Sequence, residues 1–158
     1  MQIRRAVQRD SDVIARLAAE AAAEEGAQSS LDVDRVRAHA FGQSSLFEAW
    51  LAQERANAPV LGQAVISKSY DFRRAAPNVV LCELYVVPTA RRTGLARKLM
   101  SCVARRARDL GARELAITTG VENEVAQRFF AAVGAQRREA AVFLMSADGI
   151  EWLAAESL

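Results

Sequence analysis

In the run Arg91-Arg92-Thr93-Gly94-Leu95-Ala96-Arg97, small residues stand among basic ones where an apolar strand pattern turns into a helical one. The first backbone N–H groups of a helix have no partner within it, and the helix dipole is positive there. Gly94 and Ala96 leave room for an anion to approach those amides, and Arg91, Arg92 and Arg97 add charge around it. This is phosphate-binding chemistry. Two familiar phosphate loops do not fit: no Gly-Lys-Ser/Thr follows, and one glycine is too few for a dinucleotide fingerprint. Upstream, Glu83 sets a carboxylate on the strand, where it could accept a proton directly or through water.

The elements that must position these groups are legible in the pattern. Leu84–Val87 is apolar, β-branched and aromatic, and Pro88 closes it because proline offers no N–H to a ladder. Leu95, Leu99, Val103 and Leu110 then follow helical spacing, Ala96, Met100 and Ala107 widen the stripe, and Gly111 ends it. Ahead of this segment come a strand at Ile3–Val7, a helix starting at Asp10-Ser11-Asp12 and ending at Gly26, and a second helix from Ser30-Leu31-Asp32 to about Ala40. Phe47–Glu54, Val60–Ser69 and Val79–Val87 read as strands, separated by a turn at Asn57-Ala58-Pro59 and a loop at Arg73–Asn78.

Beyond Gly111, Glu114–Thr118 is a short strand of the buried kind, so strand, helix and strand predict a right-handed crossover with parallel pairing. Glu122–Val133 is a helix stopped by Gly134, Ala135–Arg138 and Ala141–Met145 read as final strands, and Asp148–Ala155 as a terminal helix. The expected fold class is α/β (α+β): one domain over residues 1–158, with a mixed, mostly antiparallel sheet of about six to seven strands flanked by helices, in the order β-α-α-β-β-β-α-β-α-β-β.

With 158 residues, 51% hydrophobic and 25% charged, the chain can bury a core without staples. No apolar run reaches membrane-spanning length and the N-terminus lacks the apolar core of a signal peptide, so a soluble, cytoplasmic protein with no membrane partner is expected. Cys82 and Cys102 have no CxxC spacing or histidine partner and read as reduced, buried thiols; His39 reads as a surface residue, and no metal site is expected. The net charge of +2 conceals an asymmetry. Residues 91–113 hold eight basic side chains against Asp109, whereas residues 20–34 hold Glu20, Glu24, Glu25, Asp32 and Asp34 and no base. One region suits a polyanion and the other a cation.

The pattern Arg91-x-x-Gly94-x-Ala96 after a strand ending in Val-Pro resembles the pyrophosphate-binding segment of the GCN5-related N-acetyltransferases (GNAT). Asn123-x-x-Ala126-x-x-Phe129-Phe130-x-x-x-Gly134-Ala135 resembles that family's second motif, in the expected place, and the order of elements is the one the family uses. Cys82-Glu83-Leu84-Tyr85-Val86 is similar, more loosely, to the Glu-Asp-Leu-Tyr-Val of the diamine and polyamine acetyltransferases, with Cys82 a departure at the first acidic position.

The resemblance implies acetyl-CoA as co-substrate. Backbone groups of Leu84, Tyr85 and Val86 would pair with the pantetheine arm, and the Arg91, Arg92, Thr93, Gly94, Leu95, Ala96 and Arg97 segment would bind pyrophosphate. Asn123 and Phe130 would flank the arm from the other side. Glu83 would be the base, or would bind the ammonium of a small, cationic amine such as a polyamine, an amino acid or an aminoglycoside-like compound, which would attack the thioester directly in a ternary complex. A structural pairing of Glu83 with an arginine is the alternative role. The tyrosine expected to protonate the thiolate is Phe130, which has no proton to give.

Other readings are a catalytically weak CoA- or acyl-CoA-binding module, favoured by Phe130 and Cys82, and a protein N-terminal or lysine acetyltransferase. A nucleic-acid binder would need aromatics interleaved in the basic stripe, and these are missing, so no nucleic-acid partner is expected. Such folds often pair, which makes a homodimer compatible with the resemblance.

Overall fold

Alternating apolar residues build a five-stranded sheet in the computed structural model, which describes residues 1–156. The chain forms two compact units, Met1–Gly120 and Val121–Leu158. The first holds β1 (Gln2–Arg5), α1 (Ser11–Glu24), α2 (Val33–Phe41), β2 (Phe47–Gln53), β3 (Val60–Asp71), β4 (Ala76–Val86), α3 (Leu95–Asp109) and β5 (Leu115–Ile117). The second holds α4 (Glu124–Ala132) and α5 (Ala147–Ala154). Among the described residues no helix is long and apolar enough to cross a membrane.

The strands lie in the order β1-β2-β3-β4-β5. The first four are antiparallel, and β5 runs parallel to β4 with Val79 opposite Leu115 and Leu81 opposite Ile117. Parallel pairing needs a long connection, which α3 supplies. Ile14 and Ala15 of α1 and Val36 of α2 pack with Ala49, Leu51 and Val65 of the sheet. On β3, neighbours Ala64 and Ile66 are also fully buried, so the sheet is covered on both faces, since successive strand residues point to opposite sides. Leu95, Leu99, Val103 and Ala107 form the buried stripe of α3, the four-residue spacing that the sequence shows.

Three expectations need correction. Five strands form, not six to seven: Ala135–Arg138 and Ala141–Met145 are not strands among the described residues. Their composition suits a strand, but a strand exists only through the N–H and C=O groups of a partner, and these residues have no ladder. The thiols are also less buried than predicted, with Cys82 exposed and Cys102 part-exposed, both free. The loop at Arg73–Asn78 is tighter than expected, because Asp71 already faces Ala76 and its carboxylate accepts from the amides of Arg73 and Arg74 at 2.9 and 3.1 Å.

Candidate active site

A break in the β3–β4 register builds the centre of the site. Val65 faces Glu83 but Ile66 faces Leu81, so Cys82 is an extra residue on β4, a β-bulge. A bulge locally breaks the alternation of faces, and both Cys82 and Glu83 line one cleft of about 210 Å³. Its walls are apolar: Ile14 and Ala18 from α1, Leu31 before α2, Phe47 and Val65 from the sheet. Gln63 completes the lining.

Glu83 is half-buried and accepts a hydrogen bond from Gln63 Nε2. Burial pushes its carboxyl above the usual carboxylate range; the Gln63 hydrogen bond opposes this, and the charge of Glu25 adds to it. Glu83 has no ion pair with an arginine among the described residues, so the structural pairing weighed against a chemical role does not form. A carboxylate with a raised pKa in a cleft is suited to taking a proton from an ammonium ion.

Beside Glu83 an edge of β4 lies open. The ladder with β5 ends at Leu81, so Leu84, Tyr85 and Val86 pair with Ala64, Gln63 and Gly62 of β3 and with no strand on the other side among the described residues. Gly62 permits a close approach of β3, because a Cβ there would meet the Tyr85 carbonyl oxygen at 2.6 Å. Alternate N–H and C=O groups on the open edge could pair with an extended ligand arm.

The loop after β4 holds two residues in the left-handed region. Arg92 and Gly94 have φ of 62° and 81°, and Gly94 caps α3 in the left-handed conformation that glycine adopts without strain. The first bond into the helix is Lys98 N–H to the Gly94 carbonyl at 3.1 Å, which leaves the amides of Gly94, Leu95 and Ala96 without an acceptor in the helix. A Cβ at Gly94 would meet nothing within 4 Å, so the space beside this residue is open. The Thr93 hydroxyl donates to the Ala90 carbonyl at 2.7 Å, and Leu95, 2% exposed, anchors the turn in the core. Arg92 and Arg97 are exposed beside it. These helix-start amides, with basic neighbours, suit a phosphate.

Arg91 has a different place from the one its motif position suggests. Its Nη2 donates to both oxygens of Glu24 at 2.6 and 2.7 Å, its Nε donates to the Val86 carbonyl at 2.9 Å, and its guanidinium carbon lies 5.8 Å from the centre of the Tyr85 ring. Tyr85 is 7% exposed and its hydroxyl donates to Glu24 at 3.2 Å, so its side chain braces the α1 end while its backbone lies along β4. Burial, followed by the charge and hydrogen bond of Glu24, raises its pKa. Arg106 is also turned inward. With Lys68 and Arg5 it holds the buried Glu48, and its two bonds are 2.9 and 2.7 Å long. The basic face of α3 is therefore partly structural.

The acidic run is mostly satisfied locally. Glu20 pairs with Arg16, Glu24 with Arg91, Asp32 with Arg35 and Asp34 with Arg37. Glu25 has no such pair among the described residues and acts on Glu83.

Asn123 and Phe130 belong to the second unit. The Asn123 Oδ1 caps α4 by accepting from the Ala126 amide at 3.0 Å, and Gln127 Nε2 donates to the Val121 carbonyl at 2.7 Å. Phe130 is half-buried, with its ring edge-on to Phe129 at 5.4 Å between centroids. Gly134 follows the helix with a φ of 96°.

Sequence reasoning missed Gln63 and the Glu24 anchor. A signal for Gln63 was present: a glutamine in the middle of an apolar strand must bury a carboxamide, and such groups need partners.

Over 91 residues the chain is 31% identical to the aminoglycoside N(6')-acetyltransferase type 1 of Salmonella typhimurium (strain LT2), a match covering 56% of this chain and 63% of that protein. The chain thus spans less than two thirds of the curated relative. Among solved structures, a probable acetyltransferase superposes with a TM-score of 0.81 at 23% identity, covering 92% of this chain and 99% of the other. Aminoglycoside N-acetyltransferase AAC(6')-Iy in complex with CoA superposes with a TM-score of 0.69 at 24% identity, covering 92% and 98%. These likenesses concern the fold. The family model for the acetyltransferase (GNAT) family matches residues 14–135, a stretch that takes in most of α1, the bulged β4, the Gly94 turn and α4. That match covers well over half of the sequence, and this chain belongs to the GNAT acetyltransferase family.

Proposed function

We propose that this chain, acting as one domain over residues 1–158, transfers an acetyl group from acetyl-CoA to the primary amine of a small, cationic acceptor. The observation that carries the reading is Glu83, a desolvated carboxylate beside the β4 bulge, in a cleft next to an open strand edge that leads to the helix-start amides at Gly94, which have no acceptor in the helix. The fit to the co-substrate rests on that edge and on the open space beside Gly94. Acetyl-CoA supplies the acetyl thioester. The chain supplies an edge for the arm at Leu84–Val86, amides and arginines for the pyrophosphate, and a proton acceptor.

In the proposed reaction Glu83 takes one proton from the ammonium, leaving a neutral amine. Its nitrogen forms a C–N bond to the acetyl carbon as the C–S bond breaks, and its second proton passes to the sulfur. The carboxylate of Glu83 and the charge of Glu25 favour a cationic acceptor. The aminoglycoside N-acetyltransferase among its relatives supports a small-molecule amine as the acceptor.

The test is release of free thiol from acetyl-CoA with a panel of polyamines, amino acids and aminoglycosides. Amine-dependent thiol release is expected; CoA binding without turnover of any amine would favour the second reading, a CoA-binding module. Phe130 favours that reading, because its ring has no proton to give the leaving thiolate. Phe130→Tyr separates the two: it raises turnover if protonation of sulfur is limiting, and leaves a binding module inactive.

A further inference from the structure

We infer that Gln63 is the second half of an ammonium receptor: its buried carboxamide oxygen and the Glu83 carboxylate together accept the hydrogens of a primary ammonium carried on a short apolar stem. This deepens the transferase reading and rests on it for the identity of the reacting amine.

Gln63 is fully buried in the middle of β3 and lines the cleft with Glu83. Its Nε2 is committed, donating to Glu83 Oε1 and facing the Ile14 carbonyl at 3.4 Å. Its Oε1 has no hydrogen-bond partner among the described residues. A buried amide oxygen without a donor is costly, and native proteins rarely retain one without a reason. The carboxamide thus holds Glu83 with one end and offers an acceptor with the other.

The ligand that matches two neighbouring acceptors, one of them charged, is a group with several N–H donors and a single positive charge. A primary ammonium has three donors on one atom. A hydroxyl has one donor and no charge, and a guanidinium needs a wide planar fork. Because Gln63 is neutral, the receptor carries one negative charge on Glu83, with Glu25 as a more distant one. Cys82 is the other titratable group lining the cleft.

The walls set the rest of the ligand. Ile14, Ala18, Leu31, Phe47 and Val65 suit methylene or aromatic carbon and leave ring hydroxyls without partners. The volume of about 210 Å³ is below the range of roughly 300–1,000 Å³ typical of drug-sized ligands, so the cleft takes the amine end of the acceptor and leaves a larger body outside. Acetylation removes the charge and leaves a single N–H, which weakens the hold of Glu83 on the product.

Calorimetry on the full chain, without CoA, tests the receptor. Phenethylamine is expected to bind, while 2-phenylethanol, which lacks the charge, and glucosamine, whose amine is flanked by ring hydroxyls, are not. Gln63→Met should weaken phenethylamine roughly 10- to 100-fold, the loss of a hydrogen bond to a charged group. Its melting temperature should fall, because the Glu83 carboxylate loses its Nε2 donor along with the unpartnered oxygen. A purely structural role predicts the same lower melting temperature with unchanged affinity per folded molecule. Gln63→Glu decides, because with one proton shared between the two carboxyls it restores the oxygen acceptor at nearly the same length. Recovery of phenethylamine binding supports the receptor, and equal loss in both variants overturns it.

Wild-type binding of 2-phenylethanol as tight as that of phenethylamine would also overturn it. Thiol release distinguishes this from failure of the transferase reading. Gln63-dependent amine binding with no acetyl transfer rejects the transferase and leaves the receptor standing. Amine transfer with an unchanged KM in Gln63→Met rejects the receptor and leaves the transferase.

Discussion

The Arg91 guanidinium meets both carboxylate oxygens of Glu24, at 2.6 and 2.7 Å, and so ties the end of α1 to the loop that leads into α3. Since its Nε also donates to the Val86 carbonyl, Arg91 acts as a strut between α1, β4 and the Gly94 turn. Both side chains are near half exposure, so the pair itself stabilises little, about 0–1 kcal/mol. Its value lies in holding the amides in place. Arg91→Ala and Glu24→Gln are therefore expected to weaken CoA binding by similar factors, below about tenfold. The double variant should be no weaker than either single one. Calorimetric titration with CoA checks this, and a much larger loss for Arg91→Ala than for Glu24→Gln would instead give Arg91 a direct phosphate contact.

At Gly94 the backbone conformation and the open space make separable predictions. Gly94→Ala meets no neighbour, so its cost is the left-handed backbone alone, roughly 1–2 kcal/mol in a denaturant titration. Gly94→Trp pays the same strain and also fills the space beside this residue, at the amides of Gly94, Leu95 and Ala96. It should abolish CoA binding while circular dichroism stays near that of the wild type.

Glu83 links stability and activity with opposite signs. Its folded-state pKa is raised, so its contribution to stability is fully present below the unfolded pKa and is lost as pH rises through the folded value. At neutral pH the charged carboxylate is a burden on the fold, which a neutral amide relieves. Glu83→Gln should melt higher than the wild type at pH 7, and the difference should vanish below about pH 4. In the same variant acetyl transfer should fall at neutral pH with CoA affinity unchanged, as measured by thiol release and titration.

The carboxylate of Glu48 is the converse case. It is 4% exposed as a side chain and is held by Arg106, Lys68 and Arg5. Burial alone would raise its pKa, but the hydrogen bonds from Arg106 and Lys68 and the charge of Arg5 outweigh this and hold it below the usual value. Its stabilisation is present above the unfolded pKa and is lost as pH falls through the folded one. Glu48→Ala should destabilise by about 3 kcal/mol at pH 7, because it leaves a part-buried Arg106 without its partner. That difference should shrink when urea titrations are repeated at progressively lower pH.

Features that depend on near neighbours in the chain were legible without coordinates. The buried stripe of α3 follows from Leu95, Leu99 and Val103, each one helical turn from the next, and the cap from a glycine placed where φ reaches 81°. The N-cap of α2 at Asp32 and the closing of α4 by Gly134 are of the same kind, since the interacting groups are within a few residues. The order of elements and the parallel β4–β5 pair follow from the switch in period at Pro88 and from the length of the connection.

The tertiary structure decided what depends on partners far apart in sequence. That Arg91 grips Glu24 rather than facing outward, that Cys82 is the extra residue of a bulge, and that Gln63 reaches Glu83 with an oxygen left over are matters of cross-strand register and helix placement. Burial, not residue type, raised the Glu83 pKa, and the helix and strands around it set that burial. The stretches at residues 135–138 and 141–145 show the limit from the other side. Their side chains suit a sheet, but a strand is defined by the hydrogen bonds of a neighbour, which no local pattern contains.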